Sequence, residues 1–371
     1  MLERKYLFPR VSIIIVNWNG WRDTIECLES LYRLTYPNFD VIVVDNGSID
    51  DSVEKIKEYS RGEITVNSKF FDYDSNNKPI EVFELNEIDD QFDIETYEKL
   101  SANKRLIIIK QQRNRGFAGG SNAGIKFALK HLKPKYILLL NNDTVVSEDF
   151  LDKLVRAAES HEKIGIVGPK IYYYDYEGRS DVISFTGEKI IPWKGGGPRY
   201  GDGEVDEGQW DRPMEVDKIE GSCMLIKTDV FKKIGLFDEK YFMYYEETDF
   251  CIRAKKAGFK LLYYPKAKIW HKVSASIGKE NPVKLYFIAK NRTIFVRKNF
   301  PQYFWKHMIY VVFIDMPWTA FYYTIYKKNP QAAWSYLRGF LRSIKQIRSK
   351  HSIAASPLSI SMQPYEFAHK A

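Results

Sequence analysis

Four stretches of the chain combine a continuous apolar run with polar residues that follow it directly. They cover residues 11–20 (VSIIIVNWNG), 39–48 (FDVIVVDNGS), 106–124 (LIIIKQQRNRGFAGGSNAG) and 136–144 (YILLLNNDT). Such a run, bounded by a polar turn, is typical of a strand that is buried on both faces. Apolar residues at helical spacing follow each stretch, so the pattern predicts four units of strand, turn and helix.

This order of elements predicts an α/β fold built on a Rossmann-like, mostly parallel sheet with right-handed crossovers. The carboxyl ends of parallel strands meet at one edge of a sheet, where open α/β sheets bind ligands. The polar residues after each strand are therefore expected to converge there. Ser48 is placed to cap the second helix, and the fourth helix is expected to begin near Ser147.

The segment between the second and third units is acidic. Residues 62–100 carry 11 acidic and three basic residues. This composition predicts a solvated insertion that is peripheral to any chemistry. The predicted catalytic domain runs from residue 1 to 275, with this insertion inside it.

Charge divides the chain into two parts. Residues 272–371 contain 16 Lys and Arg against three Asp and Glu, whereas the remainder carries 40 against 45. A basic segment can bind nucleic acid or an anionic membrane, and its apolar and aromatic composition favours the membrane, with no nucleic-acid partner. We predict a basic, aromatic, membrane-associating helical extension over 276–350 and a flexible tail over 351–371.

Two segments of this extension suit a bilayer. Residues 308–326 (MIYVVFIDMPWTAFYYTIY) hold one charge, Asp315. A charge near the middle of a span costs about 2.5 to 3.5 kcal/mol and Pro317 would kink the helix, so interfacial or re-entrant association is favoured over a single span. Residues 332–347 read as a basic amphipathic helix. Packing of both helices on the catalytic domain is the alternative.

The cysteines and the N-terminus bear on location. Cys27, Cys223 and Cys251 are too few and too scattered for a disulfide framework, which indicates a reducing compartment. No apolar run precedes the first strand, so no signal peptide is expected. Together with the extension, these features predict the cytoplasmic face of the cell membrane.

The polar turns differ in the ligands they suit. The glycine-rich turn after Asn114 fits neither the dinucleotide fingerprint nor a P-loop, because its glycine spacing differs and Ile125 stands where a P-loop has lysine. The group Asn141, Asn142 and Asp143 offers oxygen ligands to a hard cation such as Mg²⁺ or Mn²⁺, which keeps waters and substrate phosphates in its shell. Asp143 would supply the anion.

These four motifs, in this order, resemble the family 2 glycosyltransferases of the GT-A fold, particularly the rhamnosyltransferase-like branch. YILLLNNDT stands where that family has its Asp-x-Asp motif, here with Asn141 in the first place. Residues 220–271 are similar to the acceptor-side half of the family, and their cluster EETD, at 246–249, is a fifth motif. The resemblance covers about residues 11–300.

The resemblance implies roles for individual residues. The metal ligands would be Asp143, His271 and Asn141. The catalytic base would be Glu247, and Asp249 and Glu246 are the next candidates for that role. Polar and glycine residues at the strand ends would line the nucleotide pocket, namely Asn17, Asn19, Asp45, Asn46, Asn114, Gly116, Phe117 and Asn142. The acceptor would contact Gly221 and Ser222. Separately, the glycine-rich loop at 187–212 holds seven glycines with Trp193 and Trp210, which suggests a mobile loop whose rings could stack on an acceptor sugar; an irregular surface loop is the alternative.

One base and no nucleophile imply inversion at the anomeric carbon. The expected reaction is metal-dependent transfer of a sugar, rhamnose by resemblance, from a dTDP- or UDP-linked donor to a hydroxyl of a surface glycan or lipid-linked oligosaccharide. The acids could instead complement the positive end of a helix that starts near Thr248. A catalytically silent membrane scaffold of the same fold, or a sugar-phosphate nucleotidyltransferase, is the alternative function.

Overall fold

Strands and helices alternate along the chain in the computed structural model, which describes residues 8–87, 91–273 and 281–349. The strands are β1 (Val11–Asn17), β2 (Phe39–Asp45), β3 (Glu81–Asn86), β4 (Arg105–Lys110), β5 (Tyr136–Asn141), β6 (Thr144–Val146), β7 (Ile164–Tyr173), β8 (Ile183–Phe185), β9 (Met214–Glu215), β10 (Cys223–Lys227) and β11 (Lys260–His271). The helices are α1 (Trp21–Leu31), α2 (Ser52–Arg61), α3 (Ile94–Lys99), α4 (Gly116–Phe127), α5 (Phe150–Glu159), α6 (Thr228–Ile234), α7 (Glu246–Lys256), α8 (Pro282–Asn299), α9 (Phe304–Tyr310), α10 (Met316–Phe321) and α11 (Pro330–Arg348). The tail predicted over 351–371 and the predicted boundary at 275 lie outside the described residues.

One mixed sheet joins the strands, in the order β3-β4-β2-β1-β5-β10-β7-β11-β6. The first five of these strands are parallel neighbours, which confirms the predicted sheet. Strand β10 pairs antiparallel with β5 and joins the second half of the chain to the first. The carboxyl ends of β1, β2 and β5 consequently lie beside the acceptor-side half.

The central strands are apolar throughout because helices cover both faces of the sheet. In β1, Ile13 packs with residues of α1, α2 and α5, whereas Ile14 packs on the opposite face with residues of α4, α6 and α7. Successive side chains of a strand point to opposite faces, so each central strand needs an unbroken apolar run. This explains why the runs carried the clearest signal in the sequence.

Three local predictions need correction. Ser48 does not cap α2, since its Oγ accepts from Asn17 Nδ2 (3.2 Å) and from the Asn19 backbone N–H (2.9 Å), and α2 begins after Asp51. The glycine-rich stretch is the first part of helix α4, which begins at Gly116, and not a turn. The fourth helix begins at Phe150, because the short strand β6 comes first.

The acidic segment at 62–100 adds to the sheet. Its strand β3 pairs in parallel with β4 along the edge of the sheet. Its helix α3 carries Tyr97, which is fully buried and donates a hydrogen bond to Asp40 Oδ1 (3.1 Å). Val66 and Ile80 of the segment are also buried in the core, so the segment is part of the fold and not only the solvated insertion that its composition predicted.

Gly124 sets the distance between α4 and the sheet, and we expect Gly124→Ala to destabilise the protein. A Cβ at this position would lie 2.6 Å from Ile14 Cγ2 and 3.1 Å from Val44 Cγ2. Overpacking of this kind costs about 1 to 3 kcal/mol, which exceeds the gain in helix propensity of about 1 kcal/mol. Urea denaturation measures the loss. Lys126→Ala, at an exposed position of the same helix, is the control and should cost nothing; equal stability of the two variants would contradict this packing.

The C-terminal helices form a separate apolar cluster. The apolar helix (Pro301–Tyr326), made of α9, α10 and π-helical turns, is long and apolar enough to cross a bilayer by length and composition, with a mean hydropathy of 1.2 in its best window and 6% of that window buried. Its Asp315 pairs with Arg292 of α8 and Tyr336 of α11. The charge that argued against a span is thus neutralised within the protein.

Helix α11 has two apolar faces. The face that packs on α8 includes Tyr336 and Phe340. The predicted apolar stripe, which contains Trp334 and Leu341, is the other face, and these two side chains are more than half exposed. The helix is confirmed, and its predicted stripe, which also includes Leu337 and Ile344, is exposed only in part, because Ile344 packs with the face on α8.

Candidate active site

A cavity of about 500 Å³ opens at the carboxyl edge of the central strands. Both halves of the chain line it, and the lining includes Asn46, Asn114, Gly116, Phe117, Asn141, Asn142, Asp143, Gly221, Ser222, Glu246, Glu247 and His271. All of these were candidates from sequence. The volume lies within the range of about 300 to 1,000 Å³ that is usual for small-molecule sites.

Asp143 and His271 meet at one side of this cavity. Asp143 lies in the tight turn between β5 and β6, and His271 is the last residue of β11, which pairs with β6. His271 Nε2 is 3.1 Å from Asp143 Oδ1 and 3.4 Å from Asn141 Nδ2. Strand pairing therefore brings together residues that are 128 positions apart in the sequence.

The two side chains form a buried ion pair. Burial raises the pKa of Asp143, but His271 outweighs it and the net pKa lies below its usual value. Burial lowers the pKa of His271, but Asp143 outweighs it and the net pKa is raised. The pair holds opposite charges in a site with little solvent.

The residues here fit a divalent cation that substrate phosphates complete. Asp143 would supply a carboxylate and His271 an imidazole, both of which are ligands that Mn²⁺ accepts, and the two side chains lie in contact at the cavity. His271 Nδ1 is buried and has no hydrogen-bond partner among the described residues. The described residues hold no group of three or more His, Cys, Asp or Glu side chains placed for a metal. The protein alone would thus supply an incomplete shell.

Glu247 lines the same cavity from the first turn of α7. Its Oε1 is 3.2 Å from Lys218 Nζ, and its Oε2 is buried without a hydrogen-bond partner in the described part of the chain. Glu220 Oε2 and Ser222 Oγ, in the same cavity, are also buried and have no hydrogen-bond partner in the described part of the chain. Buried polar atoms are normally bonded, so this group suits a ligand that is rich in hydroxyls.

On the nucleotide side, Asn46 organises the start of α4. Its Nδ2 donates to Asn114 Oδ1 and to the Gly116 carbonyl, both at 3.1 Å, and its Oδ1 accepts from the Arg115 backbone N–H. Gly116 has φ +71°, and a Cβ there would lie 2.2 Å from the carbonyl oxygen of Phe242. Backbone and amide groups therefore form this wall.

Three predicted nucleotide-binding residues lie behind that wall. Asn17 Nδ2 donates to Asp45 Oδ1 (2.9 Å), and the Ser48 backbone N–H donates to Asp45 Oδ2 (3.1 Å). Asn19 Oδ1 accepts from the backbone N–H of Ile49. Asn17, Asn19 and Asp45 are not among the described residues that line the cavity, so nucleotide contact by them stays a prediction.

Asp249 is not placed to act as a base. It is fully buried, and its carboxylate accepts from Arg253 Nε (2.7 Å), Lys298 Nζ (3.0 Å) and Asn299 Nδ2 (2.8 Å). These bonds tie α7 to the end of α8. Spacing on a helix explains the error, because residues two apart point to different sides.

Trp193 is not placed to contact an acceptor. Its ring packs edge-on against Tyr310 of the apolar helix at 5.2 Å, and its carbonyl lies 2.9 Å from His307 Nδ1. Among the described residues it is absent from the cavity lining, and neighbouring Gly195 lines it instead. The glycine-rich loop thus connects the cavity to the C-terminal helices.

Several lining residues were missed from the sequence. Tyr244 and Tyr245 line the cavity from a loop in which both have positive φ, 63° and 76°. Asn291 of α8 holds this loop by donating to the carbonyls of Tyr241, Met243 and Tyr244 (2.8 to 2.9 Å). The other missed residues include Trp18, Glu188, Arg199, Lys218, Lys284 and Ile288. Trp18 lies within the first motif, and Tyr244 and Tyr245 directly precede the EETD cluster, but their residue types gave no signal; the others lie outside the motifs and only the fold brings them to the site.

Glu246 predicts a specific pH dependence of stability. Burial, and then the charge of Glu247, raise the pKa of Glu246 well above its usual value, and its Oε2 has no partner among the described residues. The contribution of Glu246 to the free energy of unfolding is therefore fully present below the unfolded-state pKa of about 4.3. It is lost as pH rises through the folded-state pKa, because the buried side chain must then ionise. We expect Glu246→Gln to be more stable than the parent at pH 8 by about 1 to 3 kcal/mol, with little difference at pH 4.5. Urea denaturation at both pH values measures this, and a constant difference would contradict it.

Comparisons with known proteins agree with this geometry. A profile described as "Glycosyltransferase like family 2" matches residues 92–295, and one described as "Glycosyl transferase family 2" matches residues 12–86. Among solved structures, a mannosyltransferase from Pyrobaculum calidifontis, in complex with GDP-Man and Mn²⁺, has a TM-score of 0.52 at 13% identity and covers 91% of this chain and 88% of that chain. This likeness shows the GT-A fold.

Curated relatives come from archaea and bacteria. The low-salt glycan biosynthesis hexosyltransferase Agl10 of Haloferax volcanii is 32% identical over 40% of this chain and 46% of its own length. The dTDP-rhamnosyl transferase RfbF of Shigella flexneri is 25% identical over 57% of this chain and 70% of its own length. The N-acetylglucosaminyl-diphospho-decaprenol L-rhamnosyltransferase of Mycobacterium tuberculosis is 27% identical over 43% of this chain and 54% of its own length. The matched region thus spans about half the length of the first and third relatives. Since one family profile alone covers more than half of the chain, and its match contains both Asp143 and Glu247, the chain belongs to glycosyltransferase family 2.

Proposed function

We propose that the protein is an inverting, metal-dependent glycosyltransferase that moves a sugar, rhamnose in our assignment, from a dTDP- or UDP-linked donor to a hydroxyl of a lipid-linked or surface glycan. The observation that carries this proposal is the presence of Asp143 and Glu247 in one cavity. Glycosyl transfer needs a site for the leaving diphosphate and a base for the acceptor, and this cavity contains residues suited to both.

Glu247 acts as the base in this proposal. Its unpartnered Oε2 takes the proton of the acceptor hydroxyl while the acceptor oxygen bonds to the anomeric carbon and the bond from that carbon to the diphosphate oxygen breaks. The nucleoside diphosphate leaves from the opposite face, so configuration inverts. Burial and the charge of Glu247 raise the pKa of Glu246, which favours its neutral form beside Glu247.

The donor binds across the carboxyl ends of β1, β2 and β5. Asp143 and His271, with Asn141 beside them, hold the divalent metal, which when bound supplies positive charge to the leaving diphosphate. The backbone at Gly116 and the amides of Asn46 and Asn142 receive the nucleoside. The donor sugar then lies toward Glu247.

The acceptor enters from the side of α8 and the 187–212 loop. Gly221 leaves room beside Glu247, since a Cβ there would lie 3.5 Å from Glu247 Cβ. Ser222 Oγ and Glu220 Oε2, which have no hydrogen-bond partner among the residues that the structure describes, can bond acceptor hydroxyls. A relative named for a diphospho-decaprenol acceptor and the exposed apolar surface described next support a lipid-linked acceptor.

The apolar helix and α11 associate with the cytoplasmic face of the membrane in this proposal. Trp305, Phe313 and Trp318 expose 65 to 76% of their surface. Large contiguous apolar surfaces of this kind mark membrane or partner contacts, and the basic residues of the same segment suit anionic headgroups. Because Trp193 packs against the apolar helix, the acceptor side of the cavity lies next to this surface.

Transfer itself provides the test of the proposed function. The purified protein is incubated with Mg²⁺ or Mn²⁺, a panel of nucleotide sugars and a short-chain lipid-linked acceptor. We expect release of nucleoside diphosphate that requires the acceptor and one donor, together with a product of inverted anomeric configuration. Release of inorganic pyrophosphate would instead indicate a nucleotidyltransferase, and no release with any donor would reject the enzyme.

The membrane proposal predicts the behaviour of a triple variant. Replacing Trp305, Phe313 and Trp318 with serine removes apolar surface worth about 1.5 to 3 kcal/mol for each fully buried side chain. We expect at least a tenfold weaker partition onto anionic vesicles, measured by co-sedimentation. Ile49→Ser, at a 67% exposed position of the catalytic domain, is the matched control and should not change partition; equal losses in both would contradict the proposal.

A further inference from the structure

Lys218 lies between two carboxylates at the wall of the cavity. Its Nζ is 3.1 Å from Glu188 Oε2 and 3.2 Å from Glu247 Oε1, and its side chain is largely buried. Its backbone is fixed as well, because the Lys218 N–H donates to the Glu188 carbonyl (3.2 Å) in an isolated β-bridge. Sequence motifs gave no indication of either residue.

This arrangement constrains the two oxygens of Glu247 differently. Oε1 is held by the ammonium group, while Oε2 has no partner among the described residues and belongs to a residue that lines the cavity. A buried carboxylate without a nearby cation tends to take up a proton. A nearby ammonium group that is itself anchored elsewhere keeps the carboxylate charged and fixes its rotamer.

We propose that Lys218 is a positioning residue for the base Glu247, holding its carboxylate turned toward the acceptor, with Glu188 as the second anchor of the ammonium group. This inference rests on the proposed function and names a residue that the reaction needs without touching the substrate. Burial lowers the pKa of Lys218, but Glu188 and Glu247 outweigh it and the net pKa is raised, so the ammonium group stays charged.

Other ionisable groups also act on this cluster. Glu247 and Lys218 are faced by acids, a cation, phenols and a thiol, namely Glu188, Glu220, Glu246, Arg199, Tyr244, Tyr245 and Cys251. Lys218 and Arg199 are the cations in this group. Removing Lys218 therefore leaves Glu247 among a majority of acids.

The test compares the pH dependence of kcat in two variants with opposite expected shifts. Lys218→Met removes the cation, so the acidic limb of the kcat profile should move to higher pH by about 1 to 3 units, with at least a tenfold lower kcat at pH 7 and little change in KM for the donor. Glu188→Gln leaves the ammonium group to Glu247 alone, so its acidic limb should move to lower pH. Lys189→Met removes an exposed neighbouring lysine that pairs with Asp217 outside the cavity and should leave the profile unchanged.

The outcomes separate this inference from the function on which it rests. Opposite shifts in the two variants support positioning, and Glu188→Gln gives an answer even if Lys218→Met fails to fold, which its thermal denaturation would reveal. If both variants keep the parent profile and lose only stability, Lys218 merely neutralises buried acids and the inference is overturned. If the parent protein transfers no sugar from any donor, the proposed function itself fails.

Discussion

Replacing Asp143 with alanine is expected to lower kcat for sugar transfer by about a thousandfold or more. Asp143 is the only carboxylate within reach of His271 among the ion pairs of the described residues, so its loss removes the one anionic ligand at the proposed metal corner. Charge stabilisation of a leaving group by a bound metal is worth several kcal/mol, and each 1.36 kcal/mol changes the rate about tenfold. Steady-state kinetics at saturating Mn²⁺, with nucleoside diphosphate release as the signal, measures the effect.

Two controls separate loss of the metal from loss of the fold. Asp149→Asn changes an exposed carboxylate nearby and should keep full activity. Thermal stabilisation of the parent by Mn²⁺ together with the nucleoside diphosphate should disappear in Asp143→Ala, because ligand binding stabilises the folded state only where a site exists. Full turnover by Asp143→Ala, or unchanged stabilisation by Mn²⁺, would mean that the metal corner is assigned wrongly.

Replacing Glu247 with glutamine should lower kcat by about a hundred to ten thousandfold, the usual contribution of a general base. KM for the donor should change little, since Glu247 faces the acceptor side. The amide keeps the size of the side chain and a contact to Lys218, so the fold should survive. Initial rates over a range of donor concentrations separate kcat from KM.

The same assay distinguishes the three acids of the α7 motif. Glu246→Gln should retain most activity, because the raised pKa of Glu246 favours the neutral form that the amide resembles, whereas Asp249→Asn should mainly lower stability by weakening the tie between α7 and α8. A Glu247→Gln variant with parent kcat, alongside an inactive and well-folded Asp249→Asn variant, would transfer the role of the base to Asp249.

The parallel part of the sheet was predictable because most of its strands leave a continuous apolar run in the sequence. Strands buried on both faces require unbroken apolar runs, and β1, β2, β4 and β5 begin and end within a few residues of those runs. Strand β10 is also apolar, but its antiparallel pairing with β5 depends on the packing of the second half of the chain. Long-range pairing of that kind leaves no local pattern.

The candidate site was predictable where motifs carry it. Asp143, His271 and Glu247 lie in one cavity as expected, and their roles stay proposals. Asp249 was misplaced because the motif was read as a cluster, while the helix turns alternate residues away from the cavity. Lys218 and Asn291 could not have been found from the sequence. Their roles depend on partners that are distant in the chain and that only the fold brings into contact with them.

Helix α8 lines the cavity through Lys284 and Ile288, and its Asn291 clamps the loop of Tyr244 and Tyr245. Anyone who trims the chain for crystallisation has to keep this helix, so a detergent-free enzyme should end after Asn299 and not at residue 275. Deletion of α8 would release the strained loop and dismantle one wall of the cavity, and the resulting inactive protein would be mistaken for proof that a bilayer is essential for turnover.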